Sequence, residues 1–173
     1  MPTPGKKTPE LSVPLLGGGR WELSAQSPDN FTIIVFYRGK HCPICKTYLE
    51  QVEAAMDDFA GIGCHFLAVS MDEKQRAQDT WDEVGLGKLP FAYGMSMDQA
   101  KDWDLYLSSK REGSQEPDVF SEPALAVVRA DGTLFFIQHQ NAPFTRPPLD
   151  QLRKGLGFTI DNDYPTRGTY QGA

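Results

Sequence analysis

The chain has few cysteines, a deficit of positive charge and no long apolar run, and each shortage excludes something. Three cysteines in 173 residues cannot form the paired framework that staples small secreted domains, so their use turns to reactivity or metal binding. The longest apolar stretch, Phe31 to Tyr37, has seven residues and contains Thr32, far short of the ~18–20 that cross a bilayer. Seventeen Lys and Arg against 23 Asp and Glu leave a formal charge of −6 with no long basic cluster. That balance argues against nucleic acid, where binding depends on neutralising phosphates. Met1 to Gly19 carries Lys6 and Lys7 but is broken by Pro2, Pro4, Pro9 and Pro14, so it lacks the continuous apolar core of a secretory signal. The expectation is a cytoplasmic protein that partners neither membrane nor nucleic acid.

What is present suffices for a folded core. The 40% of hydrophobic residues predicts one domain over 1–173, with a core at about 11–156 and a polar tail at 157–173. Met1 to Gly19 reads as an extended surface lead-in, and Arg20 to Ser24 as an edge strand. Phe31 to Tyr37 is aromatic and β-branched without alternation, the pattern of a strand covered on both faces and therefore central. From Pro43 to Ala60 the period becomes helical, with Cys45, Tyr48, Leu49, Val52, Met56 and Phe59 on one stripe. Cys64 to Ser70 reads as a second buried strand, followed by a helix whose inner face is Ala77, Trp81 and Val84. Phe91 to Tyr93 predicts a short strand. A short helix follows, capped by Asp98 and carrying Ala100, Trp103 and Leu107. Ser108 to Asp118 reads as a polar surface loop. Ala124 to Val128 and Thr133 to Ile137 flank Asp131-Gly132, the strongest hairpin signal in the chain. Leu149, Leu152 and Leu156 mark a last helix, and Tyr164 and Tyr170 are candidate anchors for the tail. This order predicts an α/β fold with a central mixed sheet, helices on both faces and an N-terminal extension.

The informative feature is Cys42-Pro43-Ile44-Cys45, where the first buried strand gives way to its helix. Two cysteines three apart at a helix start come within the roughly 4.4–6.8 Å between Cα atoms that a disulfide requires. Cys42 there faces unpaired amides such as those of Ile44 and Cys45 and the positive end of the helix dipole. Both favour thiolate over thiol, and Cys-x-x-Cys thiols titrate at roughly 3.5–7.5. Arg38, Lys40 and His41 add positive potential on the approach. Cys42 is the candidate exposed nucleophile, and Cys45, on the inward stripe, is placed to attack a mixed disulfide from behind. Two blander readings stand beside this one. The pair could simply pack, or it could bind a metal. A zinc site needs further ligands, yet Cys64 and His65 are strand neighbours and point to opposite faces.

The run Phe36 to Cys45, the helix after it, Val69-Ser70-Met71-Asp72 and Pro123 to Gly132 together resemble the alkyl hydroperoxide reductase/thiol-specific antioxidant, or peroxiredoxin-like, branch of the thioredoxin-fold superfamily. The likeness covers roughly Leu11 to Leu156. It implies a thioredoxin-like fold and a redox enzyme without a cofactor. Peroxiredoxins place Pro-x-x-x-Thr-x-x-Cys after an aromatic strand end; here Arg38 stands at the Pro position, Cys42 at the Thr position and Cys45 at the peroxidatic position. The family's partner Arg falls at Pro123. Two groups that orient and polarise a peroxide are thus missing from their places. Thioredoxins and glutaredoxins instead face two cysteines with a cis-proline, whose place Pro123 takes, although a trans turn residue is the other reading. The resemblance therefore implies a thiol-disulfide oxidoreductase with Cys42 and Cys45 catalytic, and with Pro123, Arg38, His41 and Pro43 lining the substrate groove. Its partners would be a disulfide-containing protein, a small thiol or a peroxide, together with an external thiol reductant. A thiol peroxidase, with Arg38 supplying positive charge, is the alternative within enzymes, and a metal-binding or interaction module the alternative outside them. The polar tail offers either a homodimer surface or a loosely packed terminus.

Overall fold

In the structure, a computed structural model describing residues 1–170, the chain begins by folding back on itself. Strands β1 (Ser12–Pro14) and β2 (Arg20–Glu22) pair antiparallel. Then come β3 (Phe31–Phe36), α1 (Pro43–Ala60), β4 (Cys64–Val69), α2 (Lys74–Val84), β5 (Phe91–Ala92) and α3 (Met97–Asp102). A small antiparallel pair, β6 (Leu107–Ser109) and β7 (Val119–Ser121), precedes the hairpin β8 (Ala124–Arg129) and β9 (Leu134–His139), and α4 (Leu149–Asp161) closes the order. The main sheet runs β5-β4-β3-β8-β9. β3 pairs parallel with β4 and antiparallel with β8, so the sheet is mixed and β3 is central.

β3 earns that place by having no polar face: all six of its residues are buried. Alternation along the strand sends Phe31, Ile33 and Val35 into one core, shared with Leu49, Val52 and Phe59 of α1, Ala77 of α2 and Leu152 and Leu156 of α4. Ile34 and Phe36 face the opposite core, where Ala100 and Trp103 pack with Leu11, Val13 and Trp21. Helices therefore cover both faces, as the pattern of the chain predicts. This is a thioredoxin-like arrangement.

Several local expectations are corrected. The N-terminal lead-in is not all surface: Leu11 and Val13 are fully buried, and the Gly5 amide donates to the Leu134 carbonyl at 2.8 Å. The cap of α3 is Ser96, not Asp98, because Ser96 receives the Gln99 amide while the Gln99 side chain accepts from the Ser96 amide. Leu107 belongs to β6 rather than to that helix. The segment 108–118 is not all surface, since it opens within β6 and carries the buried Glu116. Helix α4 runs past Phe158 to Asp161 and buries Thr159, so the tail begins later than expected. Tyr170 is 90% exposed rather than a buried anchor, and 171–173 of the tail lie outside the described residues.

One contact locks α1 to the edge of the sheet. The Glu53 carboxylate accepts the amides of Gly87, Lys88 and Leu89 at 3.0, 2.9 and 2.9 Å, fixing the loop that leads into β5. Hydrogen bonds to a charged group contribute more than neutral ones. Glu53→Ala is expected to destabilise the fold by about 2 kcal/mol in denaturant unfolding. A loss below about 0.5 kcal/mol would remove Glu53 from this role.

Candidate active site

The turn from β3 into α1 is held from outside itself. Gly39 adopts φ +128° and packs directly on Asp72. The Asp72 carboxylate, wholly buried, accepts the Lys40 amide at 2.6 Å and the Arg76 Nε–H at 2.9 Å. The Cys42 amide donates to the Gly39 carbonyl at 3.1 Å, closing the turn. Pro43 then opens α1, where its missing N–H leaves no bond unmade.

Cys42 is the N-cap of this helix, and its sulfur accepts the Cys45 amide at 3.3 Å. One of the amides expected to favour its thiolate is therefore in place. The Cα atoms of Cys42 and Cys45 are 5.2 Å apart and the two sulfurs lie at bonding distance, as a disulfide. Both residues are buried, at 2% and 1% exposure. This corrects the picture of an exposed Cys42. The exposed part of the motif is Pro43-Ile44.

The approach charge also differs from expectation. Arg38 pairs with Glu122 at 3.1 Å and Glu116 at 3.7 Å, its guanidinium 4.9 Å from the centre of the Phe120 ring. Lys40 pairs with Asp79 at 2.6 Å, which raises its basicity, and with Glu83 at 3.7 Å. His41 packs edge-on against Phe120 with both ring nitrogens buried and unpartnered. Burial, and then the neighbouring Arg38, lowers its pKa, so the ring is neutral near pH 7. The three residues expected to make the approach positive are thus neutralised or uncharged. Pro123 is buried, and its carbonyl accepts the Gln140 amide at 2.9 Å. No cis peptide occurs among the described residues, so the bond before Pro123 is trans.

A residue missed in the sequence reaches the sulfurs instead. Arg146, in the loop between β9 and α4, places Nη2 3.0 Å from the Cys45 sulfur. Its guanidinium lies 5.2 Å from the centre of the Tyr48 ring and donates to the Pro143 carbonyl. The loop is tied down at two points: the Tyr48 hydroxyl donates to the Pro147 carbonyl at 3.0 Å, and the Gln140 side chain to that of Thr145 at 2.8 Å. The only local hint was an Arg set among prolines in Arg146-Pro147-Pro148. Beside it opens a groove of about 400 Å³ lined by Ile44, Thr47, Tyr48, Phe144 and Arg146, among others. The third cysteine stands apart: Cys64 is buried, its thiol pushed up to about 12 by desolvation. Among the described residues, no cluster of three or more His, Cys, Asp or Glu is arranged to hold a metal ion, and no helix is long and apolar enough to cross a membrane.

The match to a known family spans both the central strand and the helix start that carries the two cysteines. The model of the AhpC/TSA family matches residues 4–137. The chain belongs to the AhpC/TSA family. Solved structures with the same fold include the peroxidoxin BcpB of Mycobacterium tuberculosis, with a TM-score of 0.71 at 14% identity over 94% of this chain and 98% of that one. The mitochondrial 2-Cys peroxiredoxin of Plasmodium falciparum gives 0.72 at 16% identity, over 99% and 100%. At such identities the likeness to these structures is one of fold. Among curated proteins, none matches this sequence. As an AhpC/TSA protein with a dithiol at disulfide distance, this is a thiol-based oxidoreductase. The family generally uses thiol reductants and peroxide substrates and often forms dimers.

The turn that carries the pair makes a prediction. A Cβ on Gly39 would lie 2.7 Å from Asp72 Oδ2 and 2.8 Å from Oδ1, at a positive φ that resists side chains. Gly39→Ala is expected to lower the unfolding temperature and to slow closure of the Cys42–Cys45 disulfide in oxidant. Unchanged values of both would show that Asp72 does not set this turn.

Proposed function

We propose that this protein is a thiol-disulfide oxidoreductase in which Cys42 attacks an oxidised substrate and Cys45 resolves the product. The single observation that carries the reading is the pair of sulfurs brought to bonding distance at the first turn of α1. The Cys42 thiolate attacks one sulfur of a substrate disulfide; that bond breaks and the other sulfur leaves as a thiolate. Cys45 then attacks the Cys42 sulfur, expelling the reduced substrate and leaving the Cys42–Cys45 disulfide. An external thiol reopens it. A cytoplasmic setting, where thiol reductants keep disulfides open, suits the cycle. Exposed Pro43 and Ile44 lie where a bound substrate would meet the protein, and Arg38 and His41 stand behind them on Phe120. The buried trans Pro123 contributes support for the strand rather than a groove wall. Cys45→Ser is expected to accumulate mixed disulfides through Cys42 when offered oxidised protein or small-molecule disulfides. No adduct at Cys42 would overturn the assigned roles.

A second reading, a peroxidase, is favoured by one observation. Cys45 stands at the peroxidatic place of the family motif, and Arg146 delivers to it the guanidinium that the motif's own Arg position, occupied by Pro123, does not. There the thiolate attacks a peroxide oxygen, the O–O bond breaks, and the alkoxide leaves with a proton. The sulfenic acid formed condenses with the second thiol and releases water. Hydroperoxide consumption by the reduced protein decides between the readings. A rate no faster than that of a free thiol excludes the peroxidase, and a rate many-fold above it establishes one.

A further inference from the structure

We propose that the thiol that reopens the Cys42–Cys45 disulfide is a small one carrying a carboxylate, received in a charged pocket on the Cys42 side of the pair. The proposal rests on the dithiol cycle above and names the chemical class of its reductant. The pocket holds about 330 Å³, near the lower end of the ~300–1,000 Å³ that small-molecule sites occupy. Two residues of its wall, His41 and Pro43, flank Cys42 in the chain. Lys40, Lys46 and Arg76 bring three cations to that wall, and Glu83 brings one carboxylate. The lining therefore has an excess of two positive charges, in a chain whose formal charge is −6. Neutral His41, packed on Phe120, leaves this balance unchanged. The cations are held in place rather than free in solvent: the side chains of Lys40, Lys46 and Arg76 are 31%, 25% and 26% exposed.

Glu83 shows how an anion is held there. Its half-exposed carboxylate bridges the two lysines, pairing with Lys46 and lying 3.7 Å from Lys40 Nζ. The other carboxylates of this network stand outside the wall: Asp79 takes Lys40 at 2.6 Å, and the buried Asp72 takes Arg76 at 2.9 Å. Ion pairs this exposed are weak, so an incoming carboxylate can take the place of Glu83 between the lysines. Gln115 completes the wall, its carbonyl accepting from Arg76 Nη2 at 3.3 Å. The groove on the Cys45 side is of another kind, with Ile44, Tyr48 and Phe144 giving it apolar walls. With its carboxylate seated on Lys40 and Lys46, the reductant attacks the Cys42 sulfur through its thiolate. The S–S bond breaks, and its electron pair leaves on Cys45, which takes a proton. A second reductant thiolate then attacks the reductant's own sulfur in the mixed disulfide and expels Cys42 as a thiolate. Two electrons have entered the protein, and two reductant thiols depart as one disulfide.

The test compares three thiols of similar size and different charge, mercaptopropionate, mercaptoethanol and cysteamine, as reductants of the oxidised protein at low ionic strength. Each rate, per thiolate present, is divided by the rate of the same thiol on a neutral small-molecule disulfide, which removes differences of intrinsic nucleophilicity. The expected order is mercaptopropionate above mercaptoethanol above cysteamine, with roughly threefold or more between the first two. Lys46→Gln should bring that ratio down towards unity, and Glu83→Gln should raise it, because the competing carboxylate is gone. Equal corrected rates, or a preference that neither substitution moves, overturn the pocket. Reduction by every thiol alike, with adducts on Cys42 mapped by mass spectrometry after an acid quench, would leave the dithiol cycle standing and remove only the anionic reductant. Adducts on Cys45 in place of Cys42 would overturn the roles of the two cysteines, and the proposal with them.

Discussion

The site depends on how the backbone leaves the central strand. β3 is fixed by burial on both faces, and the chain must turn within a few residues to start α1. Asp72 makes that turn possible by accepting the Lys40 amide from a carboxylate that Arg76 neutralises. Gly39 alone lets the backbone come so close to that carboxylate. The clamp belongs to the loop after β4, so the parallel pairing of β3 with β4 sets where the helix begins. Without this turn the amides at the head of α1 would not be aimed at the Cys42 sulfur, and the two cysteines would be an ordinary pair of small buried residues.

Charge around the pair is arranged by cancellation. Three cations near the start of α1, at Arg38, Lys40 and Lys46, are matched by Glu122, Glu116, Asp79 and Glu83. His41 is kept neutral against Phe120. What remains is Arg146, which forms no ion pair with a carboxylate among the described residues and lies 3.0 Å from the Cys45 sulfur.

Much of this was legible in the residues. β3 and β4 were readable because a strand covered on both faces has no polar alternation, and α1 because its apolar stripe repeats at three and four. The Asp131-Gly132 hairpin announced itself by turn chemistry. The helix-start cysteines needed only spacing and context. What escaped depends on distant parts of the chain meeting. Arg146 lies 101 residues from Cys45, and nothing near it in sequence reports that contact. Leu11 and Val13 sit among prolines and make no periodic pattern, yet docking on the sheet buries them completely. Asp98 and Ser96 are both acceptable caps; Ser96 prevails because Gln99 completes the reciprocal pair. The isomer of the bond before Pro123 is set by tertiary structure, which a dipeptide does not encode.

The most direct test of the central claim is a redox titration of the purified protein in thiol–disulfide buffers, read by differential alkylation and mass mapping of all three cysteines. The account predicts one two-electron transition in which Cys42 and Cys45 change state together while Cys64 stays reduced throughout. Independent oxidation of the two thiols, or a disulfide that involves Cys64, would contradict it.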